Sequence, residues 1–227
     1  YLYRAVDQPE MTFSFKIFGK GQPRTLSEVL PKLEHMGVKV IHAHPYVIHQ
    51  TGSLGQWIID FVITIDTNVS LEGYAIKERF QEAFNQIYQG QVDDDSYNQL
   101  VLLAGLNWRE VTLIRAIGKY LSQIQVPFSQ AYMQETLAGN AQLTRSLMHL
   151  FDARFNPDET ADEQRQSLLL DSIHQTLDQV KNLDEDRIIK HFLTIIQSML
   201  RCNYYQTDIN GSTPDYLAFK LDPCQIP

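Results

Sequence analysis

Hydrophobic and polar residues alternate in the first part of the chain in a way that predicts strands. Large apolar side chains occupy every second position of residues 11–18, with polar side chains between them. Residues 38–49 and 56–66 are predicted as two further strands. In residues 56–66 both faces carry apolar side chains, which indicates that both sides of the predicted sheet contact protein.

Two other segments have the apolar period of helices. Residues 25–37 repeat apolar side chains every three or four positions and end at Gly37. Residues 71–89 show the same period and end before Gly90. The order β-α-β-β-α is typical of a ferredoxin-like βαββαβ module that still lacks its last strand.

The rest of the chain is predicted to be mainly helical. Apolar residues recur at helical spacing through residues 91–200, and the last of these helices has so little polar surface that it should lie inside a bundle. The period changes to two in residues 216–221. We expect this strand to return to the sheet beside residues 13–18. The alternative is a separate hairpin with residues 203–205.

These patterns predict an α+β fold made of a sheet module and an inserted or appended all-helical domain. The sheet module spans residues 1–90 and is completed by a strand at 214–222, whereas the helical domain spans residues 91–202. Residues 203–227 hold the return strand and a linker. Since the sequence starts at Tyr1 without a methionine, we expect a fragment of a longer protein.

Composition excludes several classes of function. Hydrophobic residues make up 44% of the chain and charged residues 20%, which predicts a packed globular protein. The net charge of -8, without a cluster of lysine and arginine, argues against binding to nucleic acid or to an anionic membrane surface. No apolar run reaches the roughly 20 residues of a membrane helix. The two cysteines, Cys202 and Cys224, show no pairing pattern, so we expect a reducing, cytoplasmic compartment.

The glycine turn at Gly19-Lys20-Gly21 has the layout of a phosphate loop, since a predicted strand precedes it and a helix follows. A P-loop requires GxxxxGK[ST] and a dinucleotide turn requires GxGxxG, and this turn matches neither pattern. Thr25 and Glu28 instead form a predicted capping box for the helix. The amides at the start of that helix would still favour an anion such as a carboxylate.

Two histidines form a possible metal-binding pattern. His42 and His44 lie two positions apart on a predicted strand, so their side chains would share a face and could share a zinc ion. No spacing in the sequence supplies a third ligand, and two surface histidines are the commoner arrangement. We therefore predict no metal site.

Charged residues in the helical region suggest exposed surfaces rather than chemistry. Arg115 and Lys119 are four positions apart, so they predict a small basic strip that could hold an acidic partner. A solvated helix face is the commoner arrangement, and we expect it here. The acidic run at residues 93–95 is expected to be solvated as well. No arrangement typical of a Ser/His/Asp, paired-carboxylate or Cys/His site is present, so the residues alone predict no catalytic centre.

Two stretches carry a resemblance to known families. The stretch "GQPRTLSEVLPKLEHMGVKV" resembles an ACT domain, a small βαββαβ module that senses amino acids. The stretch "AGLNWREVTLIRAIGKYLSQIQVPFSQAYMQETLAGN", followed by "LFDARFNP" and "RCNYYQ", is similar to the large bacterial NAD-specific glutamate dehydrogenases. Together the similarity covers residues 13–221.

The resemblance implies a segment lying just upstream of the catalytic part of such an enzyme. It implies NAD as cofactor of the parent enzyme, with no cofactor site, metal or catalytic residue in this segment. In the ACT family the turn before the first helix contacts effectors, which here corresponds to Gly19, Gly21, Arg24 and Thr25. Many effector-binding members carry an acidic residue there, whereas this chain has Lys20 and Gln22 nearby.

Three hypotheses about function follow. The first is a non-catalytic regulatory and assembly region that contacts other copies of itself and the rest of its own chain. The second is an effector-binding ACT module that senses free amino acids. The third, from a different class, is a stand-alone enzyme with a site between its two parts.

Overall fold

The chain forms two compact units, Tyr1–Val111 and Thr112–Pro227, in a computed structural model. The structure describes residues 1–4, 12–48, 55–65, 74–158 and 163–226. The units divide at Val111, whereas the sequence suggested boundaries near residues 90 and 202. The domain boundaries near residues 90 and 202 stay a prediction.

The first unit contains an antiparallel sheet of four strands in the order β1-β2-β4-β3, which confirms the α+β class. Its strands and longer helices are β1 (Leu2–Tyr3), β2 (Thr12–Lys20), α1 (Leu26–His35), β3 (Lys39–Ile48), β4 (Gln56–Thr64) and α2 (Tyr74–Tyr88). A 3-10 turn at Ser96–Gln99 and the short helix α3 (Leu100–Leu103) follow.

One face of this sheet forms the core of the first unit. Phe15 of β2 pairs with Phe61 of β4, and both side chains are buried. From α2, the rings of Phe80 and Phe84 meet the ring of Phe15 edge-on, with centroids 5.5 and 4.8 Å away. These contacts follow from the sequence, because period-two apolar positions on the strands face period-3.6 apolar positions on the helix.

The fourth strand of the sheet comes from the beginning of the chain. Leu2 pairs with Phe15, so β1 occupies the edge of β2 at which we expected the return strand. The predicted return of residues 214–222 is therefore wrong. These residues instead supply β6 (Phe219–Leu221), which pairs antiparallel with β5 (Met199–Cys202) in a second, two-stranded sheet. A strand of two residues such as β1 is too short to show a period, which is why the sequence did not reveal it.

Helices make up most of the second unit. Helix α4 (Trp108–Gln123) crosses the boundary between the units in the sequence, and it is followed by α5 (Gln130–Gly139), α6 (Ala141–Phe155), α7 (Glu163–Leu177) and α8 (Leu183–Ser198). The prediction that the last helix is buried is confirmed by the side chains of Ile188, Ile189, Phe192, Leu193, Ile195 and Ile196. Met199 and Leu200, which continue its apolar run, belong to β5.

Candidate functional site

Gly19 lies at the end of β2 beneath the indole ring of Trp57. These two residues are cross-strand partners, and a Cβ built on Gly19 would come within 2.1 Å of Trp57 Cζ2. Trp57 is almost fully buried, so its ring cannot easily move away. Glycine is required at this position because the ring occupies the space of a side chain.

Gly21 forms the turn that follows. Its φ angle of +81° lies in the left-handed region, which favours glycine, and its amide donates a 2.8 Å hydrogen bond to the carbonyl oxygen of Gly55. This bond joins the turn to the start of β4. The geometry is that of a tight turn.

Arg24 and Thr25 hold the turn against the helices. The Arg24 guanidinium lies over the ring of Tyr88, 5.1 Å from its centroid. Burial raises the pKa of the Tyr88 phenol, and the charge of Arg24 opposes that shift. The backbone amide of Thr25 donates to the Glu28 carboxylate at 2.9 Å, and the Thr25 hydroxyl donates to it at 3.1 Å. The predicted capping box is therefore confirmed.

The hydrogen bonds from Thr25 hold the pKa of the Glu28 carboxyl below its usual value, the backbone bond contributing most. Gly19, Gly21, Arg24 and Thr25 thus each make a local structural contact. Their role in effector binding stays a prediction.

A cavity of about 250 Å³ lies on the sheet beside this turn. It is lined by Phe18, Gly19, Lys20, Ile48, Gln56, Trp57 and Ile58. Its walls are mainly apolar, and Lys20 is the one charged residue among those that line it. Such a cavity can accept a small molecule with an apolar body and an anionic group. The residues from β3 and β4 were missed by sequence reasoning, because only the strand register brings them beside the turn.

The cavity belongs to a larger apolar surface on the side of the sheet away from α2. Directly paired residues of antiparallel strands share a face, so Phe18, Ile58 and Tyr46 form one row across the sheet. We call the surface formed by Phe18, Tyr46, Ile48 and Ile58 the open face. Phe18 is 60% exposed and Tyr46 54% exposed, which is high for aromatic residues on a sheet. The apolar side chains on both faces of residues 56–66 were its signal in the sequence.

A charged row borders the open face. Lys16 Nζ lies 3.4 Å from the Asp60 carboxylate and 5.1 Å from the ring centroid of Tyr3. A side-chain hydrogen bond with Tyr3, followed by the attraction of Asp60, raises the pKa of Lys16. His44, the cross-strand partner of Asp60, lies on the same face.

The two candidate zinc ligands lie on this side of β3. The ring centroids of His42 and His44 are 6.1 Å apart. Among the residues that the structure describes, no group of three or more His, Cys, Asp or Glu side chains could hold a metal ion.

Strand β3 forms the outer edge of the sheet and contains Pro45. Pairing with β4 continues on both sides of this residue, from His44–Asp60 to Tyr46–Ile58. A proline can occupy such a position when its missing N–H would have faced away from the neighbouring strand. The outer edge therefore lacks a donor that an added strand would need, and the open face offers the better docking surface.

The acidic run is paired rather than simply solvated. Asp94 accepts a 3.1 Å hydrogen bond from Lys32 Nζ and lies 2.8 Å from His35 Nδ1, both on α1. Asp95 accepts a hydrogen bond from the amide of Tyr97 and caps the 3-10 turn. The expectation of a solvated run is wrong, because α1 presents two basic side chains to it.

The predicted basic strip on α4 is also wrong in part. Lys119 is exposed, whereas Arg115 is only 3% exposed and belongs to the interior. The spacing of two basic residues could not reveal that one of them is covered by neighbouring elements.

Three family models match successive parts of the chain. Residues 1–76 match the family model "Glutamate dehydrogenase, ACT3 domain", and residues 92–157 match "Glutamate dehydrogenase, helical motif 3". Residues 172–227 match "Bacterial NAD-glutamate dehydrogenase, catalytic domain". All three matches are to models of glutamate dehydrogenase segments, and together they cover most of the chain.

Individual relatives agree with these matches. The chain is 38% identical over 225 residues to an NAD-specific glutamate dehydrogenase of Halomonas elongata, and 36% identical over 229 residues to that of Pseudomonas aeruginosa. The alignments cover 99% of this chain but 14% of each relative. A Mycobacterium tuberculosis protein of the same description is 36% identical over 211 residues, which cover 89% of this chain and 13% of the relative.

The match at residues 172–227 corrects one expectation about the chain. The chain does not lie wholly upstream of the catalytic part, and residues 203–227 are not only a linker, since they fall within the catalytic-domain model. Residues 172–226 contribute helices and a hairpin, and because they carry no glycine-rich or nucleophile motif the sequence did not reveal their relation to a catalytic domain.

Two of the matched segments meet inside the second unit. Helix α6 belongs to the helical-motif match, whereas α8, β5 and β6 belong to the catalytic-domain match. Arg154 Nη2 of α6 donates hydrogen bonds to the carbonyl oxygens of Gln197, at 3.0 Å, and Met199, at 3.1 Å. Burial lowers the pKa of the Arg154 guanidinium.

Aromatic residues after β5 contact the same turn of α6. The Tyr205 hydroxyl donates a hydrogen bond to the Asp152 carboxylate. The ring of Phe151 packs edge-on against Tyr204, with centroids 5.3 Å apart, and parallel to Tyr205, with centroids 6.2 Å apart. These tyrosines come from the "RCNYYQ" stretch that carried the resemblance.

Among the described residues, no helix is both long and apolar enough to cross a membrane.

Proposed function

We propose that this chain is a regulatory and assembly region of an NAD-dependent glutamate dehydrogenase. The whole enzyme would oxidise L-glutamate with water to 2-oxoglutarate and ammonium, transferring a hydride to NAD. The proposal is supported by 36–38% identity to relatives of that name over nearly the whole chain. We further propose a cytoplasmic location and no nucleic-acid partner, in keeping with the net charge of -8.

The open face supports the assembly role. Burying a large apolar side chain gains about 1.5–3 kcal/mol, so covering Phe18, Tyr46 and Ile48 would stabilise an interface substantially. The occupant would be another copy of the chain or another part of the same enzyme. The blunted edge at Pro45 favours packing against this face over extension of the sheet.

Replacement of open-face residues in the full-length enzyme tests this role. We expect Phe18→Ser and Tyr46→Ser to lower both the assembled fraction in sedimentation velocity and the rate of NADH formation. The control Ile209→Ser changes an exposed residue far along the chain in the second unit. If both variants assemble and react like the control, the open face is not an assembly surface.

The cavity beside Gly19 supports a second candidate, in which the ACT module binds an amino-acid effector. Its apolar lining would contact a side chain, and Lys20 would attract the α-carboxylate. Calorimetric titration of this chain with a panel of amino acids tests the idea. Saturable heat that is lost in Lys20→Met and in Gly21→Leu, but kept in Lys39→Met at the far end of the sheet, would support an effector site. Equal binding in all three variants would exclude the cavity beside Gly19 as the effector site.

The third hypothesis, a stand-alone enzyme, has a direct test. We expect this 227-residue chain alone to form no NADH from glutamate and NAD, because it spans only about one seventh of the length of its relatives. Turnover by the isolated chain would refute the proposal that it is inactive by itself.

A further inference from the structure

The last turn of α6 supplies what the end of α8 lacks. The final carbonyl groups of a helix have no partners within the helix, and a cation stabilises that end. Helix α8 has no basic residue in its own last turn. Arg154 from α6 takes this place, with hydrogen bonds to Gln197 and Met199.

The same turn of α6 holds the chain again beyond β5. Asp152 lies two residues before Arg154 and accepts the hydrogen bond from Tyr205. The first point of attachment is at the end of α8 and the first residue of β5, and the second lies three residues beyond the end of β5, at Tyr205. The direction in which the chain leaves α8 is thereby fixed on both sides of a four-residue strand.

The outer strand of the hairpin depends on this arrangement. Asn203, which is only 7% exposed, accepts a 2.7 Å hydrogen bond from the amide of Ala218 and donates one of 3.0 Å to the carbonyl of Tyr216. The amide of Asp222 donates to the carbonyl of Ser198 at 2.8 Å. Movement of β5 would therefore carry β6 with it.

We propose that Asp152, Arg154 and Tyr205 form a lock, the α6 lock, through which helical motif 3 sets the position of the hairpin in the catalytic-domain segment. The lock is an intramolecular contact between the last turn of α6 and the segment from Gln197 to Tyr205, which includes β5. It gives the helical region a physical connection to the catalytic part, and this consequence for activity rests on the proposed function. Arg154 and Tyr205 act as positioning residues.

Hydrogen exchange in the full-length enzyme tests the lock independently of activity. Arg154→Met removes the guanidinium but keeps the apolar stem, and Tyr205→Phe removes one hydroxyl group. The matched controls are Arg187→Met and Tyr216→Phe, since Arg187 and Tyr216 are exposed. We expect amides of β5 and β6 to exchange at least tenfold faster in the lock variants than in the controls, with α4 and α5 unchanged. If the Arg154→Met variant does not fold, the same exchange measurement on the Tyr205→Phe variant tests the proposal.

Steady-state kinetics on the same proteins test the coupling. We expect kcat to fall at least fivefold in both lock variants while KM for glutamate stays within twofold, and Arg154→Lys to recover part of kcat. If the hairpin amides exchange at the same rate in the lock variants as in the controls, the proposal of a lock is wrong. If they exchange faster but kcat stays at the wild-type value, the lock is not coupled to catalysis. Absence of glutamate-dependent NADH formation in the wild-type enzyme would refute the proposed function. The hydrogen-exchange rates of β5 and β6 would still show whether the lock holds the hairpin.

Discussion

The indole ring of Trp57 occupies the space in which any side chain at position 19 would lie, so Gly19 and Trp57 form one packing unit. A Cβ on Gly19 would approach two atoms of the ring to 2.1 and 2.3 Å. Overpacking of this kind costs about 1–3 kcal/mol. We expect Gly19→Ala to lower the free energy of unfolding by that amount in urea denaturation.

The control for this change is Gly55→Ala, because a Cβ at Gly55 has no atom within 4 Å among the described residues. Trp57→Leu in the Gly19→Ala background should recover part of the loss by removing the obstructing ring. Equal stability of Gly19→Ala and Gly55→Ala would show that the ring moves aside freely.

The capping box at the start of α1 predicts a dependence of stability on pH. The pKa of Glu28 is lower in the folded chain than in the unfolded one, where it is about 4.3. The contribution of the carboxylate is therefore fully present above about pH 5 and is lost as the pH falls through the lower, folded pKa.

We expect Glu28→Gln to lower the midpoint of thermal unfolding at pH 7 and to match the wild type near pH 3. Glu34→Gln, on the same helix, is the control for removing a charge. A difference between Glu28→Gln and wild type that persists unchanged at low pH would contradict the assignment.

Phe192 lies in the fully buried face of α8 and is the largest side chain there. Removing its ring leaves a cavity in a packed interior, which costs about 3–5 kcal/mol. We expect Phe192→Ala to lower the free energy of unfolding of the second unit by that amount in urea. Leu200→Ala, at a 57% exposed position, should change it by at most about 0.5 kcal/mol. Similar losses in both variants would contradict the central position of α8.

The amide of Asn203 closes the loop between the two strands of the hairpin. Asn203→Ala would leave the Ala218 amide and the Tyr216 carbonyl without this partner, at a cost of about 1–3 kcal/mol. We expect limited proteolysis within residues 206–217 to become about tenfold faster. The exposed Gln206→Ala serves as control, and equal cleavage rates in the two variants would show that the backbone alone holds the loop.

The sequence predicted those elements whose pattern is long and locally determined. The amphipathic helices and the capping box of Thr25 and Glu28 could be recognised from spacing alone. Each of these features depends on residues three or four positions apart.

Features that depend on distant residues could not be predicted in this way. The apolar run of α8 continues into Met199 and Leu200, so periodicity extended the helix over what is a strand. The cavity required the register that brings Ile48 and Ile58 beside Phe18. Arg154 and Tyr205 are far from their partners in sequence, and no local pattern connects them.

The position of β1 has a consequence for folding of the chain during translation. Because the four-stranded sheet is built from residues 2–64, a ribosome has already supplied every strand when residue 65 is added. Had the final strand come from residues 214–222, the sheet would have remained incomplete during synthesis of the entire helical region. Early closure allows this module to form its sheet while the helical region is still being translated.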